Sequence, residues 1–171
     1  VTEQERNGFK LDCDNAEHLM MDLMFEMNNI EASLQDIFPP IVEERWSEKT
    51  GKQLKDKVTV FNPGSRKQIA ERLQGLGVKF DKKTEKGNII VDEKVLEGID
   101  RPEAKAVARY MMLQKRVAQI DSWLKSVKDD GRVHGRVITN GAVTGRMTHQ
   151  APNMAQVSAV SAPFGPECRR C

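Results

Sequence analysis

The sequence predicts a mainly helical chain of the α+β class, with helices first and a β-hairpin beginning near the end. Three observations carry this. Met20, Leu23, Met27, Ile30, Leu34 and Ile37 recur at alternating spacings of three and four, which makes one apolar stripe on a helix. A longer helical pattern runs from Glu103 to about Lys128, with Ala104, Val107, Met111, Val117, Ile120 and Leu124 on one side. Arg132 to Ile138 then alternates like a strand, and Asn140-Gly141 is a strong hairpin-turn signal.

The elements follow in order. Asp14 caps the first long helix, with Glu17 three residues on as its reciprocal partner, and Pro39-Pro40 ends it by withdrawing an amide donor. Four methionines (20, 21, 24 and 27) give that helix an adaptable packing surface. Residues 39–57 read as an exposed, lysine-rich connection, in part helical. Val58 to Phe61 is a short extended run ending at the turn Asn62-Pro63-Gly64. Ser65 caps the next helix and Gln68 completes a capping box, with Gly75 and Gly77 near its end and Ile69, Leu73 and Leu76 on its buried side. A charged loop from Asp81 to Asn88 precedes Ile89-Ile90-Val91 and a short helix around Glu93 to Leu96. Pro102 opens the longest helix, and Ala142-Val143-Thr144 begins the return strand of the final hairpin.

At 171 residues the chain is long enough to bury a core, and it has no uninterrupted apolar stretch of membrane-spanning length. No basic-then-apolar leader follows Val1, and three cysteines cannot form a disulfide framework without a remainder, so a reducing compartment is expected. The net charge of +2 conceals a gradient. Residues 1–57 hold 7 basic and 13 acidic side chains, residues 58–100 hold 8 and 7, and residues 101–171 hold 12 and 5. A basic C-terminal part is suited to a polyanion, although patchiness on a solvated surface gives the same count. Lys105, Arg109, Met112, Arg116 and Gln119 share a second side of the long helix, where cations can lie along a phosphate backbone.

From Gly131 the chain reads GRVHGRVITNGAVTGRMTHQAPNM, in which Thr144-Gly145-Arg146 is followed seven residues after the Arg by Asn153, preceded by Pro152. Upstream stand Gln4-Glu5-Arg6-Asn7-Gly8-Phe9 with Asp12, then Phe61-Asn62-Pro63-Gly64-Ser65 with Lys67-Gln68, then Val91-Asp92-Glu93-Lys94-Val95-Leu96-Glu97. These blocks, in this order, resemble the family A DNA polymerases, most closely their short-tailed phage branch. The resemblance implies a thumb-like helical region over residues 1–130, with 39–57 exposed, and the start of a palm over 131–171. It implies that Arg146 and Asn153 contact the primer–template duplex near the primer end, with Gln156, Thr144 and His149 beside them. Lys105, Arg109, Lys115 and Arg116 become phosphate contacts. Arg146 as a surface ion pair and Asn153 as a turn-former remain open alternatives.

Under the same resemblance the complete polymerase uses Mg²⁺, which needs paired acidic oxygens. Those aspartates are expected beyond Cys171, so this segment should hold no catalytic residue and no metal, and should bind DNA without extending it. Its partners would be primer–template DNA and the remaining palm and fingers, with no membrane involved and the cytoplasm, of a host if viral, as the compartment. The stretch Pro39 to Lys57 is much shorter than the insertion by which a phage relative captures thioredoxin, which counts against that partner. Ser158 and Ser161 stand where relatives carry a proline and an arginine. A free-standing duplex-binding protein, or a helical module docking an acidic partner, are the competing functions. Cys168-x-x-Cys171 lacks a second ligand pair for zinc, His134 reads as structural and His18 as surface.

Overall fold

The computed structural model describes residues 2–81, 84, 85, 87 and 89–171; Lys82, Lys83, Lys86 and Asn88 of the expected charged loop lie outside the described residues. Among the described residues six helices and six short strands follow one another as α1 (Thr2–Asn7), β1 (Phe9–Lys10), α2 (Cys13–Ile37), β2 (Ile41–Trp46), β3 (Gln53–Thr59), α3 (Arg66–Gly75), α4 (Glu93–Glu97), α5 (Pro102–Leu124), β4 (Arg132–Val133), β5 (Arg136–Ile138), β6 (Thr148–Gln150) and α6 (Gly165–Arg170), with a 3₁₀ turn at Met154–Gln156 before α6. The α+β class is therefore as expected, with three separate two-stranded antiparallel ribbons.

Two compact units form, Glu26–Gln114 and Val1–Phe25 with Lys115–Cys171. In the second of these units the start of the chain packs with its end. β1 pairs with β4, Phe9 opposite Val133, and the Asp12 amide donates to the Cys171 carbonyl.

In the unit Glu26–Gln114 the core is Leu34, Phe38, Phe61, Ile69, Leu73, Val91, Leu96, Val107 and Met111 with three alanines, and the Phe38 and Phe61 rings lie 4.7 Å apart between centroids. The turn before α3 is knitted by its own side chains. Asn62 Oδ1 accepts from the Gly64 amide at 2.8 Å, and the Ser65 hydroxyl accepts from the Gln68 amide. Gln68 does not close the expected reciprocal box; its Oε1 accepts from the Asn62 amide instead, at 2.7 Å. Gly77 ends α3 with φ +85, its amide donating to Gln74 and that of Val78 to Leu73, the paired bonds of a Schellman cap.

Residues 41–57 hold no helix. They form most of the β2–β3 ribbon, with Val42 opposite Val58 and Lys57 Nζ 3.2 Å from Glu43 Oε2. Almost every residue of the ribbon is exposed, so the period-two burial pattern by which a strand is recognised is missing. Of the extended run placed at Val58–Phe61, Val58 and Thr59 end β3 and the other two residues follow it.

Two ends also move. Asp12, not Asp14, caps α2, accepting from the Asn15 amide at 3.1 Å. Its backbone is held outside the helix by the bond to Cys171, which leaves its carboxylate free to cap. On α2, Leu23 and Leu34 are buried, whereas Met21 and Met24 face outward and Met20 and Met27 are half-buried, so the methionines flank the core rather than fill it. α5 stops at Leu124 rather than Lys128, because Val127 bridges to Val133 and the Lys128 amide donates to the Arg132 carbonyl.

In the other unit, Leu11, Leu23, Ile120, Trp123, Val133, Val137 and Cys168 are buried. α1 is clamped onto β4 and β5: Glu5 Oε1 accepts from the Val137 amide at 2.7 Å, and Arg132 Nε donates to the Asn7 carbonyl. Gly8, at φ +60, sits where a Cβ would lie 2.8 Å from the Val133 carbonyl oxygen. His134 joins the Glu5 carbonyl through Nδ1 at 2.9 Å and Asp130 Oδ2 through Nε2 at 2.8 Å. Those two contacts raise the His134 pKa above 6.5, and the same imidazole lowers that of Asp130 below 3.8, while Arg132 beside them opposes the histidine shift.

Two outcomes test this packing. Phe61→Ala should cost about 3–5 kcal/mol in equilibrium denaturation, whereas Val58→Ala on the exposed ribbon should stay within about 0.5 kcal/mol. The clamp at His134 should contribute fully between pH 3.8 and 6.5. Its histidine part is lost as pH rises through the raised imidazole pKa, and its aspartate part as pH falls through the lowered carboxyl pKa. The difference in Tm between the protein and His134→Asn, followed against pH, should therefore be largest in that window; a difference that grows above pH 7 would refute the clamp.

Candidate nucleic-acid interface

The hairpin that carries Arg146 pairs β5 with β6, Arg136 opposite Gln150, Val137 opposite His149 and Ile138 opposite Thr148. Ala142 to Thr144 is thus not the return strand. It belongs to the hairpin tip, because the return begins only at Thr148. The tip closes on itself: the Ala142 amide donates to the Arg146 carbonyl at 3.2 Å and the Gly145 amide to Ala142 at 2.9 Å. Gly141 is required for space, since a Cβ there would run into Thr148 Oγ1. Gly145 is required for conformation, at φ +75 with nothing within 4 Å of where its Cβ would stand.

This tip presents Thr144 and Arg146 to solvent, and among the described residues Arg146 forms no ion pair. His149 is half-buried in β6. Beyond the hairpin, Asn153 does act as a turn-former: its Oδ1 accepts from the Ala155 amide at 3.2 Å and caps the 3₁₀ turn.

Four of the expected residues meet in one place. Lys115 and Arg116 of α5 and Asn153 and Gln156 of the 3₁₀ turn line an open cleft of about 420 Å³, together with Gln119 and Trp123. Gln119 Nε2 donates to the Gln156 carbonyl at 2.9 Å. Arg116 Nε is shut off from solvent with no hydrogen-bond partner among the described residues, and so is Gln119 Oε1. Sequence reasoning placed Gln119 on the basic side of the helix without assigning it to the site. The signal was there, because it follows Lys115 by four residues and Arg116 by three, the helical neighbour spacing.

Lys105 and Arg109 belong to the unit Glu26–Gln114, apart from that cleft. Both already hold carboxylates. Lys105 Nζ lies 3.0 Å from Asp100 Oδ1, and Arg109 grips Glu26 through two bonds of 2.6 and 3.1 Å. In the same unit Tyr110 donates to Glu31 at 3.4 Å, and burial, then the charge and hydrogen bond of Glu31, push the phenol pKa up.

Among the described residues no group of three or more His, Cys, Asp and Glu is placed to hold a metal ion. Asp130 is committed to His134 and to the Arg132 amide. Burial pushes the thiol pKa of Cys168 up, against the pull of Arg116, and also that of Cys171, so both resist ionisation. No helix among the described residues is long and apolar enough to cross a membrane.

Comparison with known proteins converges on one family. Residues 42–171 match the family model described as DNA polymerase family A. The DNA-directed DNA polymerases of Escherichia phage T7 and of Enterobacteria phage T3 are each 47% identical to this chain over 120 residues, covering 64% of it. The chain spans only 17% of the length of each of these relatives. A solved structure, the POL domain of Pol1 from M. smegmatis in complex with DNA primer-template and dNTP, superposes with a TM-score of 0.79 over 98% of this chain and 27% of that one. At 21% identity that likeness speaks to the fold alone. With more than half of its residues matched to the family and its phage relatives nearly half identical over the aligned stretch, this chain belongs to DNA polymerase family A.

Proposed function

We propose that this chain is the template–primer grip of a DNA-directed DNA polymerase that works in replication, in a phage-infected cytoplasm. The observation that carries the reading is the cleft in which two cations of α5, Lys115 and Arg116, face the side chains of Asn153 and Gln156. Arg146 stands exposed on a closed hairpin tip in the same compact unit.

The chemistry follows from the donors. Lysine and arginine along a helix neutralise phosphates without regard to sequence. An arginine fork that enters the minor groove meets the A N3 and T O2 acceptors and their G·C counterparts, so it senses the shape of a correct pair rather than its identity. A replicative enzyme needs both properties. Thr144 and His149 flank that fork on the hairpin. Asn153 combines two roles, because the carboxamide oxygen that caps the turn leaves its nitrogen for the duplex. Lys105 and Arg109, already paired with carboxylates, contribute less.

Nucleotidyl transfer and its Mg²⁺ belong to the complete polymerase, whose palm and fingers are this segment's partners. The described residues do not supply a metal site. Thioredoxin is not assigned as a partner.

Titration with a labelled primer–template over a range of salt concentrations tests the reading. Log affinity should fall linearly with log salt, with a slope of roughly −2 to −4 for two to four phosphates. Arg146→Ala should weaken binding by about 1–3 kcal/mol, and the chain should bind the primer end without lengthening it. Salt-independent binding, or an unchanged affinity in Arg146→Ala, would remove the assignment.

A further inference from the structure

Gln119 has no role in the reading above, yet it is the residue that ties the turn to the helix. Its Nε2 donates to the carbonyl of Gln156, the last residue of the 3₁₀ turn, at 2.9 Å. A turn of three residues has poor hydrogen-bond geometry and leaves its carbonyls unsatisfied. Here both ends are tied, the first by the Asn153 side chain and the last by Gln119.

The amide of Gln119 cannot be reversed without setting its oxygen against the Gln156 carbonyl oxygen, so the donor assignment is forced. Its own Oε1 is shut off from water and has no partner among the described residues, as is true of Arg116 Nε one turn back. The oxygen of this half-buried side chain is thus unsatisfied while its nitrogen is bonded. The side chain is kept where it is by one bond, and that bond aligns the turn with Lys115 and Arg116.

We infer that Gln119 is a positioning residue: through the Gln156 carbonyl it sets the Asn153–Gln156 turn at the distance from Lys115 and Arg116 that one strand of the duplex requires. This rests on the grip proposed above. Gln119 itself need touch no nucleotide.

The test measures affinity for a fluorescein-labelled primer–template, well below the melting temperature, for the chain and three variants. Gln119→Leu, which removes the donor at similar volume, should weaken binding roughly three- to tenfold, the range of one lost hydrogen bond. Combined with Asn153→Ala it should cost less than the product of the two single losses, because both act on one turn. Gln119→Glu supplies the discriminating readout. Its carboxyl donates only when protonated, and burial favours the protonated form. Its affinity relative to the unsubstituted chain at the same pH should therefore recover as pH falls from 7.5 towards 5. A role in packing alone would leave Gln119→Leu, of similar volume, binding like the unsubstituted chain.

If the unsubstituted chain binds and Gln119→Leu binds equally well, the inference is overturned while the grip stands. If the unsubstituted chain does not bind, the grip itself falls. Should Gln119→Leu fail to fold, Gln119→Glu, which keeps the shape, decides: no gain at low pH overturns the inference.

Discussion

A two-stranded ribbon and a single 3₁₀ turn are both marginal in water, and this protein hangs its exposed arginine and its asparagine on one of each. What makes them usable is the C-terminal part of α5. Ile120 and Trp123 are buried along that stretch, and Lys115, Arg116 and Gln119 line the cleft together with Trp123. The buried side chains fix the helix in its own unit, and the amide of Gln119 then fixes the turn to the helix. Without that anchoring, the donors of the cleft would have no common frame.

The ribbon is held by a different device. α1 lies against β4 and β5, with Glu5 accepting from the Val137 amide and presenting its carbonyl to His134. Gly8 is what allows that approach, since any side chain there would meet the Val133 carbonyl. A segment near the start of the chain therefore helps position a hairpin more than a hundred residues away. The tip beyond it needs little further support, because its own backbone bonds close it.

Charge is also divided by use. Arg109 looks from its spacing like one more phosphate contact, but Glu26 holds the Nε–Nη2 edge of its fork. A bidentate pair of this kind joins two helices within its own unit and leaves less of the cation for a polyanion. The cations that remain turned towards the cleft are those four or fewer residues from Gln119.

Much was legible in the chain by itself. The apolar stripes at spacings of three and four located both long helices, Ser65 and the Asn62-Pro63-Gly64 turn located α3, and the blocks around Thr144-Gly145-Arg146 and Pro152-Asn153 carried the family resemblance. These are local signals: a period, a cap, a turn residue, a short ordered motif. The β2–β3 ribbon escaped because an exposed ribbon buries nothing and so writes no alternation into its sequence. The true return strand, Thr148–Gln150, begins only after a closed tip that the turn residues do not announce, and the capping role of Asp12 depended on Cys171, a partner far away in the chain. Only tertiary structure could decide those, together with the meeting of Lys115, Arg116, Asn153 and Gln156, because hydrogen bonds and burial between distant segments leave no periodic trace in either one.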